Sequence, residues 1–237
     1  MTRRFHPAAL ALLLLAGCGT SPPPAAYAQA PLYPYWPIAR MPSGPQSGER
    51  QPAPTATAVL VAPGYLLTAI AGMGDVADDF SLDPAVYVFD GTAWHAGRYV
   101  DRDKALRVAL IRADVPGTPM KLSDAGSRPS RLVGTAPFVR TAGMFVVRAW
   151  RGEPCAELPS WLDDDIGPAR RPSLCVAGRQ KELPGGIMVD AAGRLAGIQV
   201  NPLGAGEAAG PDAADIRAYL DLYFSTWGAA VTPKPAY

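Results

Sequence analysis

Short runs of apolar residues, each ended by turn-forming residues, follow one another along the chain from residue 55 to residue 200. The turn signals include Pro63-Gly64, Asp90-Gly91, Pro116-Gly117 and Ala192-Gly193, which are typical of tight connections between short strands. The pattern predicts strands at Thr57–Ala62, Tyr65–Ala69, Ala85–Phe89, Trp94–Asp101, Val108–Arg112, Arg131–Val133, Met144–Trp150, Leu174–Val176, Gly186–Val189 and Leu195–Val200. So many short strands at this spacing favour an all-β barrel or sandwich.

One stretch departs from this pattern and predicts a helix. Between Pro211 and Trp227 the apolar residues recur every three or four positions, and Asp212 is a suitable N-cap. The apolar face consists of Ile216, Tyr219, Leu220, Tyr223, Phe224 and Trp227. We therefore expect a β-rich domain closed by a C-terminal α-helix at 212–227, with a tail at 228–237.

The first 18 residues predict export and attachment to lipid. Arg3-Arg4 precede a short apolar run, as in a secretory signal that is too short to span a bilayer. The run ends in Leu15-Ala16-Gly17-Cys18, which resembles the bacterial lipobox, whose cysteine is acylated and becomes the new N-terminus. The resemblance implies a signal peptide at 1–17 and a lipid anchor on Cys18. Because Gly19 rather than aspartate follows, it also implies the outer membrane, facing the periplasm. An ordinary signal peptide with a chance cysteine is the alternative.

The segment after the predicted anchor is rich in proline. Residues 19–54 contain ten prolines, and Gly, Ser, Gln and Ala fill much of the remainder. Such a composition cannot bury enough apolar surface to fold alone, so 18–54 is predicted to be an extended tether. The aromatic patch Tyr33–Pro37 is unusual in a spacer. It is expected to dock on this chain's own domain in preference to a partner.

Composition and charge exclude several classes of function. The chain has 22 basic and 21 acidic residues, and removal of Arg3 and Arg4 with the signal changes the formal charge from +1 to −1. No electrostatic case for nucleic-acid binding exists at that balance. The histidines are His6 and His95, so only His95 remains after processing. A cluster of histidine metal ligands is therefore excluded, and neither a metal nor a cofactor is predicted.

The two remaining cysteines, Cys155 and Cys175, are expected to lie in an oxidising compartment. An even pair in that setting favours a disulfide. Closing a loop of this length stabilises a fold by about 3 kcal/mol.

Three stretches fall in the order and spacing of trypsin-like (chymotrypsin-fold) serine proteases. Residues 58–69 resemble the strand, turn and strand that lead into the family's Thr-Ala-Ala-His motif. Residues 101–111 resemble the strand that carries Asp-Leu-Ala-Leu-Leu. Residues 183–189, with the hairpin that follows, resemble the Asp-Ser-Gly-Gly-Pro-Leu-Val motif. The resemblance implies an all-β fold of two six-stranded antiparallel β-barrels with a C-terminal α-helix.

The implied domain covers residues 55–227. Its first barrel occupies about 55–125 and its second about 126–210.

The same resemblance places unsuitable residues at all three catalytic positions. The general base would fall at Ala71, the orienting acid at Arg107 and the nucleophile at Pro184. Alanine cannot accept a proton and arginine carries the wrong charge. Proline lacks a hydroxyl group and also the backbone N–H that would contribute to an oxyanion hole. The sequence therefore predicts that this triad is degenerate.

Other chemistry is poorly supported by the sequence. His95 lies on a predicted outer strand, where it is expected to have no catalytic role. Lys121 and Ser123 could form a serine–lysine pair but are better read as a solvated turn. The run Asp163–Asp165 lacks the spaced ligands of a calcium loop, and Gly204–Gly206 lacks the context of a phosphate loop.

These observations predict a catalytically inactive, membrane-anchored lipoprotein that binds a protein or peptide partner or acts as a scaffold. One alternative is an active serine endopeptidase of the same fold with displaced catalytic groups. The other is a structural lipoprotein of the envelope or of a secretion assembly.

Overall fold

The computed structural model describes residues 35–40, 54–71, 85–90, 93–141, 144–151, 153–158, 172–177, 184–200 and 207–227. They form β1 (Tyr35–Arg40), β2 (Pro54–Ala62), β3 (Tyr65–Ala69), β4 (Ala85–Phe89), β5 (Trp94–Asp103), β6 (Val108–Ala113), β7 (Arg131–Thr141), β8 (Met144–Arg151), β9 (Glu153–Pro154), β10 (Leu174–Ala177), β11 (Ile187–Val189), β12 (Leu195–Ile198), β13 (Glu207–Gly210) and α1 (Ala213–Trp227). Outside the described residues lie Cys18, Asp163–Asp165, Gly204–Gly206 and the predicted tail. Within the described part of the chain, no helix combines the length and apolar character needed to cross a membrane.

Six strands of the first half, residues 35–113, form a closed barrel. Their order around the barrel is β1-β2-β3-β6-β5-β4, and every neighbouring pair is antiparallel. The barrel interior is filled by alternate side chains of these strands, among them Leu60, Leu66, Val88 and Ile111. The prediction of a six-stranded first barrel is therefore confirmed.

The strand that closes this barrel comes from the predicted tether. In β1, Tyr35 pairs with Val59 of β2, and Ile38 pairs with Val88 of β4. Ile38 and Ala39 are completely buried. The prediction of an extended tether over 18–54 is thus wrong for residues 35–40. The described part of the aromatic patch, residues 35–37, pairs with β2 of the chain's own domain. This strand could not be predicted from the sequence, because prolines lie within and beside it and proline disfavours a strand assignment.

The second half, residues 131–210, consists of two antiparallel sheets. One has the order β12-β11-β7-β8 and the other β13-β10-β9. A hydrogen bond from Val200 N to Ala209 O, 2.9 Å long, connects the chain beyond β12 to β13. The strands β9 and β13 were not predicted, and the described residues do not show a second closed barrel. Both missed strands are short and lack a run of large apolar residues.

Helix α1 begins as predicted. The Asp212 side chain caps it, since Oδ1 accepts hydrogen bonds from Ala214 N and Asp215 N, each 2.9 Å long. The helix buries Ile216, Tyr219, Leu220 and Tyr223. The prediction that Trp227 belongs to the buried face is wrong, because 59% of it is exposed in the last turn.

A shared core joins the two halves and the helix. It brings Leu67 and Leu110 of the first half against Ile187 and Leu195 of the second, with Ile216 of α1 packed on the same cluster. Burial of one such side chain contributes about 1.5–3 kcal/mol. The halves therefore form one unit, and the segments that meet at their junction are held in fixed register.

Candidate functional site

Two of the three predicted catalytic positions lie side by side at the end of the β3–β6 pair. Ala71 is exposed and follows β3 in a short 3₁₀ turn, whereas Arg107 is only 4% exposed and immediately precedes β6. The backbone N of Ile70 donates to the carbonyl oxygen of Arg107 at 2.9 Å. Pairing of Ala69 with Val108 fixes this contact. The sequence motifs that carry the two positions are thus neighbours in the fold.

The backbone of Arg107 has a conformation that is uncommon for a residue with a side chain. Its φ of 61° lies in the left-handed region, where β-carbon crowding disfavours residues other than glycine and asparagine. The turn over residues 104–107 requires this conformation, and Asp103 supports the turn by accepting a hydrogen bond from Leu106 N at 2.9 Å. A buried guanidinium group therefore lies at the position where the family resemblance places a carboxylate.

The third position, Pro184, is held between the two halves. Its carbonyl oxygen accepts two hydrogen bonds from Thr57 of β2, one from the backbone N at 2.9 Å and one from Oγ1 at 3.1 Å. On the other side, Gly185 N donates to Gln199 O, and Gln199 N donates to Gly186 O. Pro184 is buried in this arrangement. The loop that carries the predicted nucleophile position therefore bridges β2 and the end of β12.

A glycine is required next to Pro184. Gly185 has a φ of +90°, and a β-carbon placed there would lie 2.0 Å from the carbonyl oxygen of Thr57. That close approach is what allows the loop to dock on β2. The glycine at position 185 is therefore explained by packing alone, without any catalytic requirement.

Two buried threonines connect the third position to the strand that leads to the first. Thr57 O accepts a hydrogen bond of 2.8 Å from Thr68 Oγ1, and Thr68 lies on β3, three residues before Ala71. Both threonines are fully buried. Their hydroxyl groups donate hydrogen bonds to backbone carbonyls. The two hydroxyl groups therefore have a structural role and do not act as nucleophiles. All three predicted positions consequently belong to one contiguous region, in which Ala71 is exposed and Arg107 and Pro184 are buried. We call this region the junction cleft (Ala71, Arg107 and Pro184), after the cleft that the family resemblance implies between the two halves.

His95 lies in the β4–β5 hairpin and is paired with an acid. His95 Nε2 and Asp90 Oδ2 are 2.7 Å apart, and 31% of the histidine side chain is exposed. Asp90 Oδ1 also accepts the backbone N–H of Ala93, which fixes the carboxylate. In the described part of the chain the side-chain partner of His95 is therefore a carboxylate and not a serine hydroxyl.

The interpretation of Lys121 and Ser123 as a solvated turn is wrong for the serine. Ser123 is fully buried, and its Oγ donates to Asp190 Oδ2 at 2.8 Å. Its backbone carbonyl accepts a hydrogen bond from Arg217 of α1. Lys121 is exposed, but its carbonyl oxygen accepts a hydrogen bond from Leu195 N. The segment between the halves is thus locked to the second half and the helix.

Asp190 anchors this region, and sequence reasoning missed it. Its Oδ1 accepts hydrogen bonds from Ala192 N and Arg194 N, while Oδ2 accepts from Arg194 Nε and from Ser123. Burial raises the pKa of Asp190, but the hydrogen bonds from Arg194 and Ser123 outweigh it and lower the pKa below its ordinary value. The Asp-Ala-Ala-Gly turn contained the signal, since an aspartate that begins a turn bonds to the backbone two residues on.

The pKa of a half-buried carboxylate, Asp101, is shifted in the opposite direction. Asp101 of β5 contacts the Tyr219 side chain of α1, and burial raises the pKa of Asp101 above its ordinary value. Burial beside Asp101 and Asp103 also raises the pKa of Tyr219. This polar pair joins the helix to the first half, just as Arg217 joins it to Ser123.

The disulfide predicted from the cysteine pair is present. Cys155 and Cys175 are bonded, with their Cα atoms 5.4 Å apart, and the bond connects the end of β9 to β10. Nearby is a surface cavity of about 370 Å³, between the segment 124–129, Pro154, the start of β10 and the first turn of α1. The cavity does not include any residue of the junction cleft. This cavity is therefore separate from the predicted catalytic positions.

Comparisons with known proteins identify the fold. No family model matches the chain, and no curated protein matches it. Among solved structures, the inactive form of the Rv3671c protease has a TM-score of 0.55 and 16% sequence identity, covering 80% of this chain and 88% of that one. The active form of the same protease, from M. tuberculosis, has a TM-score of 0.56 and 15% identity, covering 86% and 83%. A Ser-to-Ala mutant of the M. tuberculosis H37Rv protein has a TM-score of 0.55 and 15% identity, covering 84% and 89%. The chain therefore has the fold of a trypsin-like serine protease, and identity at this level establishes the fold alone.

Proposed function

We propose that this chain is a catalytically inactive relative of trypsin-like proteases that binds a protein or peptide in the junction cleft. The observation that carries the proposal is the contact between the segments bearing Ala71, Arg107 and Pro184, joined through Ile70 N–Arg107 O and Thr57–Pro184 O. None of these three side chains can act as a base, an orienting acid or a nucleophile at its position. The scaffold for the chemistry is retained, but the chemistry is not.

Peptide binding is the use that such a cleft retains. The loop at Pro184 is rigid, because it is hydrogen-bonded to both halves. A preorganised loop between two packed units can hold an extended peptide without transforming it. A purely structural envelope or assembly protein would not need this cleft, so cleft variants separate the two functions.

The test of inactivity is labelling of the purified chain with a fluorophosphonate probe, together with cleavage of a peptide library. We expect neither labelling nor cleavage. Labelling that heat abolishes would contradict the proposal. The matched control is a variant carrying Ala71→His, Arg107→Asp and Pro184→Ser together. Labelling of this variant would show that these three positions correspond to the catalytic positions of the family.

One observation favours the alternative of a displaced active site. His95 and Asp90 are hydrogen-bonded, as the general base and the orienting acid are in a catalytic triad. His95→Ala tests this alternative. It requires a wild-type cleavage activity that falls by orders of magnitude in the variant, whereas the proposed inactive protein shows no activity in either form.

Peptide binding itself is tested by photo-crosslinking in the cell envelope with a crosslinker at position 71, which is exposed. We expect a discrete adduct that is lost when Gly185→Ala disturbs the cleft loop. A crosslinker at exposed position 222, on the far side of the helix, serves as the control. Equal adducts from both positions would favour a structural role without recognition in the cleft.

The same proposal includes a lipid anchor on Cys18 and a periplasm-facing outer-membrane location. Cys18→Ser is expected to release the protein from the membrane fraction. Continued sedimentation of this variant with membranes would contradict the anchor.

We also propose that the second half is a closed barrel. Two features support this: β8 and β9 are separated by one residue, and Val200 N–Ala209 O joins the two sheets. Strand order would then run from β8 and β9 through β10, β13, β12, β11 and β7 back to β8. An experimental structure of the second half tests this closure.

A further inference from the structure

We propose that Cys155, Cys175 and Glu207 form a binding site for a thiophilic divalent cation such as Zn²⁺ when the disulfide is reduced. This inference is independent of the proposed role of the junction cleft. It concerns the sheet β13-β10-β9, which contains no residue of the junction cleft.

The three side chains come from three neighbouring strands of that sheet or their ends. Their ligand atoms all lie within 4.8 Å of one another, and Cys155 Sγ is 3.9 Å from Glu207 Oε2. Pairing of Ala177 with Glu207 sets the position of the glutamate beside β10. The backbone ladder therefore places the three residues next to one another.

A backbone contact joins the two cysteines in addition to the disulfide. Cys155 N donates to Cys175 O at 3.2 Å, next to the pairing of Val176 with Pro154. In a tetrahedral zinc site, metal–sulfur bonds of ~2.3 Å put two sulfur atoms about 3.8 Å apart. After reduction, a modest rotation of the two side chains reaches that separation, and the Glu207 oxygen is already at a comparable distance.

The kind of ligand selects the kind of cation. Two thiolates favour Zn²⁺ or a similar soft cation over Mg²⁺ and Ca²⁺, which prefer sites made of oxygen alone. Cys175 is 3% exposed, whereas Cys155 and Glu207 are half-buried, so the site opens to solvent on one side. Three protein ligands with one open side leave a fourth position for water or for a group from a partner.

The oxidised and metal-bound forms exclude each other chemically. A dithiol reductant transfers its two S–H hydrogens to the sulfur atoms of Cys155 and Cys175, and the dithiol itself becomes a disulfide. The cation then displaces both thiol protons to solvent and forms two metal–sulfur bonds and one bond to a Glu207 oxygen. Because the bound cation links ligands from three neighbouring strands, it also stabilises the reduced sheet.

The experiment is a titration of the full chain carrying Cys18→Ser, which removes the third cysteine. The protein is reduced with dithiothreitol, desalted without oxygen and titrated with Co²⁺ as a spectroscopic probe for Zn²⁺. We expect one Co²⁺ per chain with a thiolate-to-cobalt absorption band, displaced by Zn²⁺, and no such band in the oxidised protein.

Glu207→Gln is expected to weaken Co²⁺ binding by about tenfold or more, since loss of even an outer-shell partner of a metal ligand weakens binding ~10–100-fold. The matched control is Glu157→Gln, an exposed glutamate two residues after Cys155, which should bind like the parent. A reduced parent without the thiolate band, or equal affinities for the two glutamine variants, would overturn the site. If reduction unfolds the chain, far-ultraviolet circular dichroism decides: Zn²⁺ must restore the folded spectrum, and failure to do so counts against the proposal.

Discussion

The first half of the molecule is closed by backbone pairing, whereas in the second half a covalent bond joins two neighbouring strands. In the barrel of residues 35–113 each strand pairs with a neighbour on both sides, and β1 completes the ring. In residues 131–210 the disulfide joins the end of β9 to β10, and a hydrogen bond joins the chain beyond β12 to β13. The strands of the first half are thus joined by strand pairing alone, whereas the second half also has a disulfide. The first half should depend on its N-terminal strand, and the second on its cross-link.

Removal of β1 is expected to have the largest effect. A chain that starts at residue 54 lacks both ladders of β1 and exposes the partners of Ile38 and Ala39. We expect a loss of more than about 5 kcal/mol, which is comparable with the whole stability of a typical domain. Thermal unfolding followed by circular dichroism measures this loss.

The control for that truncation is a chain that starts at residue 34, just before β1. It should unfold like the chain from residue 19, because it keeps β1 and both of its ladders. If the chains from 34 and 54 unfold at the same temperature, β1 does not close the first half.

A substitution at the contact between the halves is expected to be the next most damaging. Gly185→Ala places a methyl group 2.0 Å from Thr57 O and also strains a backbone at a φ of +90°. We expect a loss of about 4 kcal/mol, since both the loop and β2 must shift. Urea unfolding measures it.

Gly126→Ala separates the two causes. Gly126 also has a positive φ, of +76°, but no atom lies within 4 Å of its added β-carbon. Only the conformational cost of about 1–2 kcal/mol remains there. Equal losses in the two variants would mean that the loop at Pro184 is not tightly docked on the first half.

Loss of the disulfide should affect the second half selectively. Cys155→Ser is expected to lower stability by about 3 kcal/mol and the melting temperature by several degrees. Hydrogen exchange should become faster in β9 and β10 while β1 to β6 keep their protection. Cys18→Ser is the control and should leave the melting temperature unchanged. Uniform loss of protection in both halves would mean that the disulfide does not act on the second half selectively.

The fold could be predicted from the sequence where a strand, a helix start or a cross-link is marked by residues close together in the chain. Apolar runs with Pro-Gly and Asp-Gly turns gave most strands of the first half, and Asp212 marked the helix start because N-capping is local. The cysteine pair gave the disulfide. β1 was hidden because its prolines and polar neighbours count against a strand, and its partners β2 and β4 are distant in sequence.

The candidate site was predictable only in part, for the same reason. The residues at 71, 107 and 184 follow from motifs, and the fold brings the segments that carry them together. Their supports are long-range contacts: Thr57 meets Pro184 across 127 positions, and Ser123 meets Asp190 across 67. A buried serine and an aspartate far apart in the chain carry no sequence pattern that would pair them.

Substitution of Asp190 is expected to have the smallest effect on stability. It tests whether the charge of this carboxylate stabilises the second half. Its pKa is lowered in the folded state, so its carboxylate stabilises the fold fully above the ordinary value of about 4. That contribution is lost as the pH falls through the lower, folded-state value. Asp190→Asn should therefore cost about 2 kcal/mol at pH 7 and much less at low pH.

Asp124→Asn is the matched control, since Asp124 also pairs with Arg194 but is 79% exposed. A surface ion pair of this kind contributes about 0.2–1 kcal/mol, so its loss should be small at any pH. Urea unfolding of both variants and the parent at pH 7 and at pH 3 measures the difference. If Asp190→Asn destabilises the fold equally at both pH values, the charge of Asp190 is not what holds the turn. Ser123 and Arg194 would then fix the second half by packing rather than through the carboxylate.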